Sequence, residues 1–144
     1  GKFGRDAWAN GNPADQTGHT GFEHELLDLL RFLEEQHVKN VVFLAADVHF
    51  AAQIRYAVDL NQDGEPLIFH ELIAGPLAAV RRQPPLPSLD PTLHPTVLYS
   101  EGGFFNFGSV AVTRRADGLP HLIAQIHDEN GQLRPNSTLD LTPR

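Results

Sequence analysis

Apolar residues recur at helical spacing between residues 22 and 33. Phe22, Leu26, Leu29, Leu30 and Leu33 form one stripe, while Glu25, Asp28, Arg31, Glu34 and Glu35 fall on the other faces. Such a stripe predicts one amphipathic helix. Thr20-Gly-Phe-Glu23 fits a capping box that opens it, with Thr20 as N-cap and Glu23 reaching back. His37, Lys39 and Asn40 suit its end. The periodicity then breaks. Val41-Val-Phe-Leu-Ala-Ala46 is an unbroken apolar run, which reads as a strand buried on both faces. Helix, tight connection and central buried strand in that order predict an α/β fold. The unit is βαβ, with its first strand before residue 1 or missing.

Downstream, Phe50 to Val58 reads as a strand, with helix the alternative. Residues 59–64 form a turn, and Pro66 to Ala74 is a second apolar run that stops at Gly75-Pro76. Residues 81–95 carry two arginines and five prolines and read as a loop without regular structure. Thr96 to Tyr99 is a short strand. Three more follow at Ser109–Arg114, His121–His127 and Thr138–Leu141, parted by Asp117-Gly118 and Asn130-Gly131. Those dipeptides are strong turn signals, so the ending reads as an antiparallel meander. The first 20 residues are Gly- and Asn-rich and read as a loop anchored by Phe3 and Trp8.

Composition narrows the function classes. At 144 residues the chain is about one domain. A formal net charge of −7 argues against nucleic acid or an anionic membrane as the main partner. It leaves a small phosphorylated substrate open, because local cations decide that. Without cysteine, disulfides, thiolate catalysis and Cys-ligated zinc are excluded. No apolar run approaches the roughly 20 residues that span a bilayer. A chain opening on Gly1 is expected to be part of a longer polypeptide.

The candidate chemistry begins where the first apolar run ends. Asp47-Val48-His49 sets a carboxylate and an imidazole two residues apart. On an extended chain both would project the same way, from the carboxyl end of a strand, where α/β sheets gather ligands. The pair makes half a metal site; at least two further ligands must come from elsewhere. His70 and Glu71, in the next apolar run, are candidates to orient those ligands from behind, or are a plain strand-edge polar pair. Asp59-x-Asn61-x-Asp63-Gly64 opens like a calcium loop but has His70 at position twelve, where a glutamate belongs, so a polar hairpin turn competes. Arg81 and Arg82 are either a phosphate clamp or solvated loop residues. Gly102-Gly103 with Asn106 offers backbone amides to an anion, although packing of Phe104, Phe105 and Phe107 into a core is the favoured role. Ser100 has no base partner visible in the sequence, so a Ser-His-Asp hydrolase is not supported.

Several segments together resemble a known family. They are Ala7-Trp-Ala-Asn-Gly-Asn12, Glu23-x-Glu25-Leu26 with the leucines after it, and Asn40 through His49. Ala74-Gly-Pro-Leu77 and Phe104-Phe-Asn-Phe-Gly108 follow in the same order. The chain resembles the PhoD-like alkaline phosphatase/phosphodiesterase family, the alkaline phosphatase D group of calcineurin-like metallophosphoesterases. The match is to the C-terminal half of the family's domain, with residues 1–144 as that portion and the N-terminal half absent. The resemblance implies an α/β sandwich around a multinuclear metal site. It implies hydrolysis of phosphomonoesters or phosphodiesters, and iron and calcium as cofactors, with zinc or manganese as alternatives. It implies Asp47 and His49 as metal ligands, the missing N-terminal half of the same protein as partner, and an extracellular or periplasmic location. The family commonly has Gly where Ala46 stands. The competing expectation is a non-catalytic folded module, stabilised by calcium at Asp59, Asn61 and Asp63 and inactive alone.

Overall fold

The computed structural model describes residues 23–85, 89 and 91–143. The expected cap at Thr20, the first stripe residue Phe22 and the aromatic-anchored opening lie outside them, as does the landmark at residues 7–12. Among the described residues the fold is mixed α/β, with one helix and seven strands in two sheets. The elements are α1 (Glu23–Glu35), β1 (Val41–Ala45), β2 (Ala51–Val58), β3 (Leu67–Ile73), β4 (Thr96–Glu101), β5 (Asn106–Arg114), β6 (Pro120–Asp128) and β7 (Leu139–Leu141). Four strands form one sheet in the order β1-β3-β2-β4, and β5-β6-β7 form the other. No helix among the described residues is long and apolar enough to cross a membrane.

Two compact units share these elements. One takes residues 23–41, Arg55–Phe69 and Pro85–Thr96. Its core follows the predicted stripe: Leu26 and Leu30 are buried, along with Tyr56, Val58, Leu67, Phe69 and Leu93. Tyr56 and Phe69 stack with ring centroids 4.8 Å apart. One member of the expected polar face departs from the pattern. Glu34 is only 5% exposed, and its carboxylate accepts the backbone N–H groups of Leu60 and Asn61 at 3.1 Å. Charge-assisted bonds to two amides offset the cost of burying it. The proline-rich loop also departs, because Pro91–Leu93 forms a turn of 3-10 helix. Proline suits a first helical position, and the turn carries Leu93 into the core.

The second unit takes Val42–Ile54, His70–Pro84 and the chain from Val97 onward. Phe50, Ala51, Ala52, Ile54, Leu72, Ile73, Ala124 and Ile126 are buried in it. Its buried polar groups are matched: Gln53 donates to the Ser137 carbonyl at 2.8 Å, and the Ser137 hydroxyl lies 2.8 Å from Arg134 O and 3.1 Å from Ile126 O. The expected meander is present and antiparallel. Asn106 pairs with Asp128 and Arg114 with Pro120 across β5 and β6, and Leu122 with Leu141 across β6 and β7. Gly118 and Gly131, the second residues of the two turn signals, take φ of +80° and +78°, which side chains resist.

The central buried strand is elsewhere than expected. The apolar run stops being a strand at Ala45, and among the described residues β1 lies at the edge of its sheet. Leu44 is 70% exposed. The interior places go to β3 and β2, which are almost wholly buried although they contain His70, Glu71, Gln53 and Arg55. An edge strand has a neighbour on one side only, so continuous apolarity does not force burial there.

Candidate functional site

Asp47 and His49 do not extend β1. The chain bends through residues 47–50, with Asp47 at φ +73° and His49 at φ +66°. Those left-handed values cost energy for any side chain, and Asp and His tolerate them better than most residues. Two such residues in three is the kind of local strain that gathers at functional sites. Ala46 between the strand and the bend stays out of the left-handed region, which is why alanine is accommodated there.

The bend is stitched to two other segments of the same unit. Ala74 N–H donates to Ala45 O at 3.3 Å, joining the end of β1 to the end of β3. Arg82 N–H donates to His49 O at 3.0 Å, and Gly103 N–H donates to Arg82 O at 3.0 Å. Asn106 closes the third side. Its side chain accepts from Gly75 N–H and donates to Gly75 O, both at 2.8 Å, while its own N–H donates to Pro76 O at 2.9 Å. Asn106 is 0% exposed. The Gly75-Pro76 peptide it holds is cis. Three motifs far apart in sequence, Asp47-x-His49, Ala74-Gly-Pro-Leu77 and the segment from Gly102 to Gly108, are therefore brought together. Gly102 has no alternative at this junction, since a Cβ there would lie 2.1 Å from Arg82 O.

Within the junction, His49 Nδ1 is buried with no hydrogen-bond partner. A buried ring nitrogen left open is costly unless something binds it. Asp47 beside it is exposed. An open imidazole nitrogen and an exposed carboxylate suit a divalent or trivalent cation, and they amount to two donors. Among the described residues no group of three or more His, Cys, Asp or Glu is placed to hold a metal ion. His70 and Glu71 are both buried in β3, the neighbour of β1, rather than at a strand edge.

The other expected sites resolve differently. Asp59 accepts from Asp63 N–H and Gly64 N–H at 3.1 Å, Asn61 from Asp63 N–H at 3.1 Å, and Asp63 from Glu65 N–H at 2.8 Å. These oxygens are engaged in holding the turn itself. The amide of Gly103 is committed to Arg82 O, so it is not offered to an anion. The three phenylalanines do not fill a core. Phe104 and Phe105 are half-buried, with Arg134 over the first at 4.8 Å and Arg81 over the second at 5.0 Å; Phe107 is exposed and stacks on His127 at 5.2 Å. Aromatic faces attract guanidinium groups, which holds these rings near the surface.

Two polar constellations were invisible in the sequence because they join strands. In one, Ser109 Oγ lies 3.0 Å from His127 Nε2, with His127 Nδ1 3.4 Å from Gly131 O and so facing a carbonyl rather than a carboxylate. In the other, Arg134 grips Glu101, which also accepts from the Tyr99 hydroxyl at 2.5 Å. Arg134's hydrogen bonds hold the Glu101 carboxyl below its ordinary range, while burial and the Glu101 charge push the Tyr99 hydroxyl up. A family model described as PhoD-like phosphatase matches residues 2–116, a span that includes the whole junction. No curated protein and no solved structure matches the chain significantly.

Proposed function

The chain belongs to the PhoD-like phosphatase family, a family of phosphoester hydrolases, and on that premise we propose that Asp47 and His49 are metal ligands of its hydrolytic centre. The observation that carries this is the unpartnered, buried His49 Nδ1 in a strained bend two residues from an exposed carboxylate. A metal bound there supplies an activated water and neutralises charge on the phosphoryl oxygens. The chain's own residues do the positioning. Arg82 N–H and the Ala74–Ala45 bond fix the bend, and Asn106 fixes the Gly75–Pro76 turn against it. With two donors here, the remaining ligands lie outside the described residues of the same protein. The substrate is a phosphoester, and mono- and diesters are both within this reading.

Substituting Asp47→Ala in the intact protein tests it, with a chromogenic phosphodiester as substrate and metal content read by mass spectrometry. Turnover is expected to fall at least about a hundredfold, with metal content reduced and the melting transition little moved, since an exposed side chain is removed. Retained turnover with full metal content would overturn the assignment.

A further inference from the structure

Three of the seven arginines among the described residues have a carboxylate partner. Arg31 pairs with Asp28 at 3.0 Å, Arg115 with Asp140 at 3.1 Å, and Arg134 with Glu101. Acidic residues outnumber basic ones, 18 against 11, so partners are plentiful. Arg81 and Arg82 are among those without one, and both are exposed. Arg81 is placed over the Phe105 ring. Arg82 has no such support.

The backbone of Arg82, by contrast, is held firmly. Its N–H bonds to His49 O and its carbonyl accepts from Gly103 N–H, both at 3.0 Å. Gly102 lets the chain approach that carbonyl closely enough for this, since any side chain there would collide with it. A residue whose guanidinium has no internal partner is thus tied through its backbone to the histidine of the candidate centre. A fixed root and a free, exposed head is an arrangement suited to meeting a ligand. The fork of an arginine matches the paired oxygens of a phosphoryl group.

We propose that Arg82 binds the phosphoryl oxygens of the substrate at the Asp47–His49 centre; this rests on the phosphoester reading above. It adds a positive charge for an anionic substrate on a chain whose formal net charge is −7. Arg82 is a binding residue here, so its loss acts on substrate and product affinity more than on the chemical step.

The intact protein and its Arg82→Ala, Arg82→Lys and Arg31→Ala variants test this. Hydrolysis of p-nitrophenyl phosphate and bis(p-nitrophenyl) phosphate gives KM and kcat, and calorimetry with inorganic phosphate gives an affinity that does not depend on turnover. Arg82→Ala is expected to raise KM and the phosphate dissociation constant roughly tenfold, with kcat changed less than KM. Arg82→Lys restores part of the loss, because charge survives and the fork does not. Arg31→Ala, on the helix, matches the parent. If the parent turns over phosphoesters and Arg82→Ala leaves KM and phosphate affinity unchanged, the assignment of Arg82 is wrong and the hydrolase reading stands. If the parent neither hydrolyses the esters nor binds phosphate, the hydrolase reading fails and this inference with it. Equal melting temperatures across the set exclude misfolding as the cause, and Arg82→Lys carries the test should Arg82→Ala not fold.

Discussion

The three-stranded meander and the bend at Asp47–His49 belong to the same unit and are built in opposite ways. In the meander past Asn106, the side chains of Ser109, His121 and Gln125 find partners within a few residues or across one ladder. His121 shows this most fully: Nδ1 lies 2.7 Å from Asp140 Oδ1 and Nε2 lies 2.9 Å from Asp117 Oδ2. At the bend, the backbone is tied by segments more than 25 residues away, while His49 Nδ1 and the Arg82 head are left open. The first region spends its hydrogen bonds on its own stability. The second fixes its backbone and leaves side-chain groups uncommitted, as expected where a ligand completes the bonding.

Removing the strongest tie at the bend should give the largest effect. Asn106→Ala deletes the two-way bridge from a fully buried side chain and leaves the N–H and C=O of the half-buried Gly75 without their partner. Two stranded backbone groups and a small cavity together cost about 3 kcal/mol. Chemical unfolding is expected to show that loss, and hydrogen exchange to show Gly75 losing protection while the β5–β6 ladder keeps its own until global unfolding. A loss under about 1 kcal/mol would mean that the junction is held by something other than this amide.

How legible each region was in the sequence follows the same division. The meander could be read because its cause is local: Asp117-Gly118 and Asn130-Gly131 dictate turns whatever surrounds them. The helix could be read from its stripe for the same reason. Burial of Glu34 could not, because its partners, Leu60 and Asn61, lie in a distant turn. The most apolar run misleads for the same reason. Composition says what a strand is made of, and its place in the sheet decides what it buries. β2 and β3 are interior despite Gln53, His70 and Glu71, since partners elsewhere satisfy buried polar groups that a sequence scan counts as outward-facing. The abrupt end of the apolar run singles out the Asp-x-His pair as a candidate. It does not show that Gly102, Asn106 and Arg82 converge on it, because three hydrogen-bonded segments must be folded before they meet.

His121 sharpens the contrast through pH. Both ring nitrogens face carboxylates, so the arrangement is satisfied only by the doubly protonated imidazolium. The hydrogen bonds His121 donates, first to Asp117 and then to Asp140, raise its pKa above the ordinary 6.5, while His121 in turn lowers that of Asp117. A raised pKa means tighter proton binding in the folded state. The contribution is therefore complete below pH 6.5 and fades as pH climbs through the folded value. Asp117 acts with the opposite sign: its share is present above its ordinary 3.8 and is lost in acid. Urea midpoints for the parent and His121→Gln are expected to differ most at about pH 5 to 6 and to converge toward about pH 9. A gap that holds constant across that range would show that the histidine packs rather than binds protons.

The smallest expected effect tests the correction at β1. Had Val41–Ala46 been buried on both faces, Leu44→Lys would bury an unpaired charge and cost several kcal/mol. With Leu44 70% exposed on an edge strand, lysine can reach solvent, and the change should stay within about 0.5 kcal/mol. Lysine on an open edge also opposes strand-to-strand association, so solubility should hold or improve. The informative outcome is a large loss. If Leu44→Lys is strongly destabilising, the open side of β1 is covered by a segment outside the described residues. That covering segment would then also be a candidate source of the further ligands that the proposed metal role of Asp47 and His49 requires.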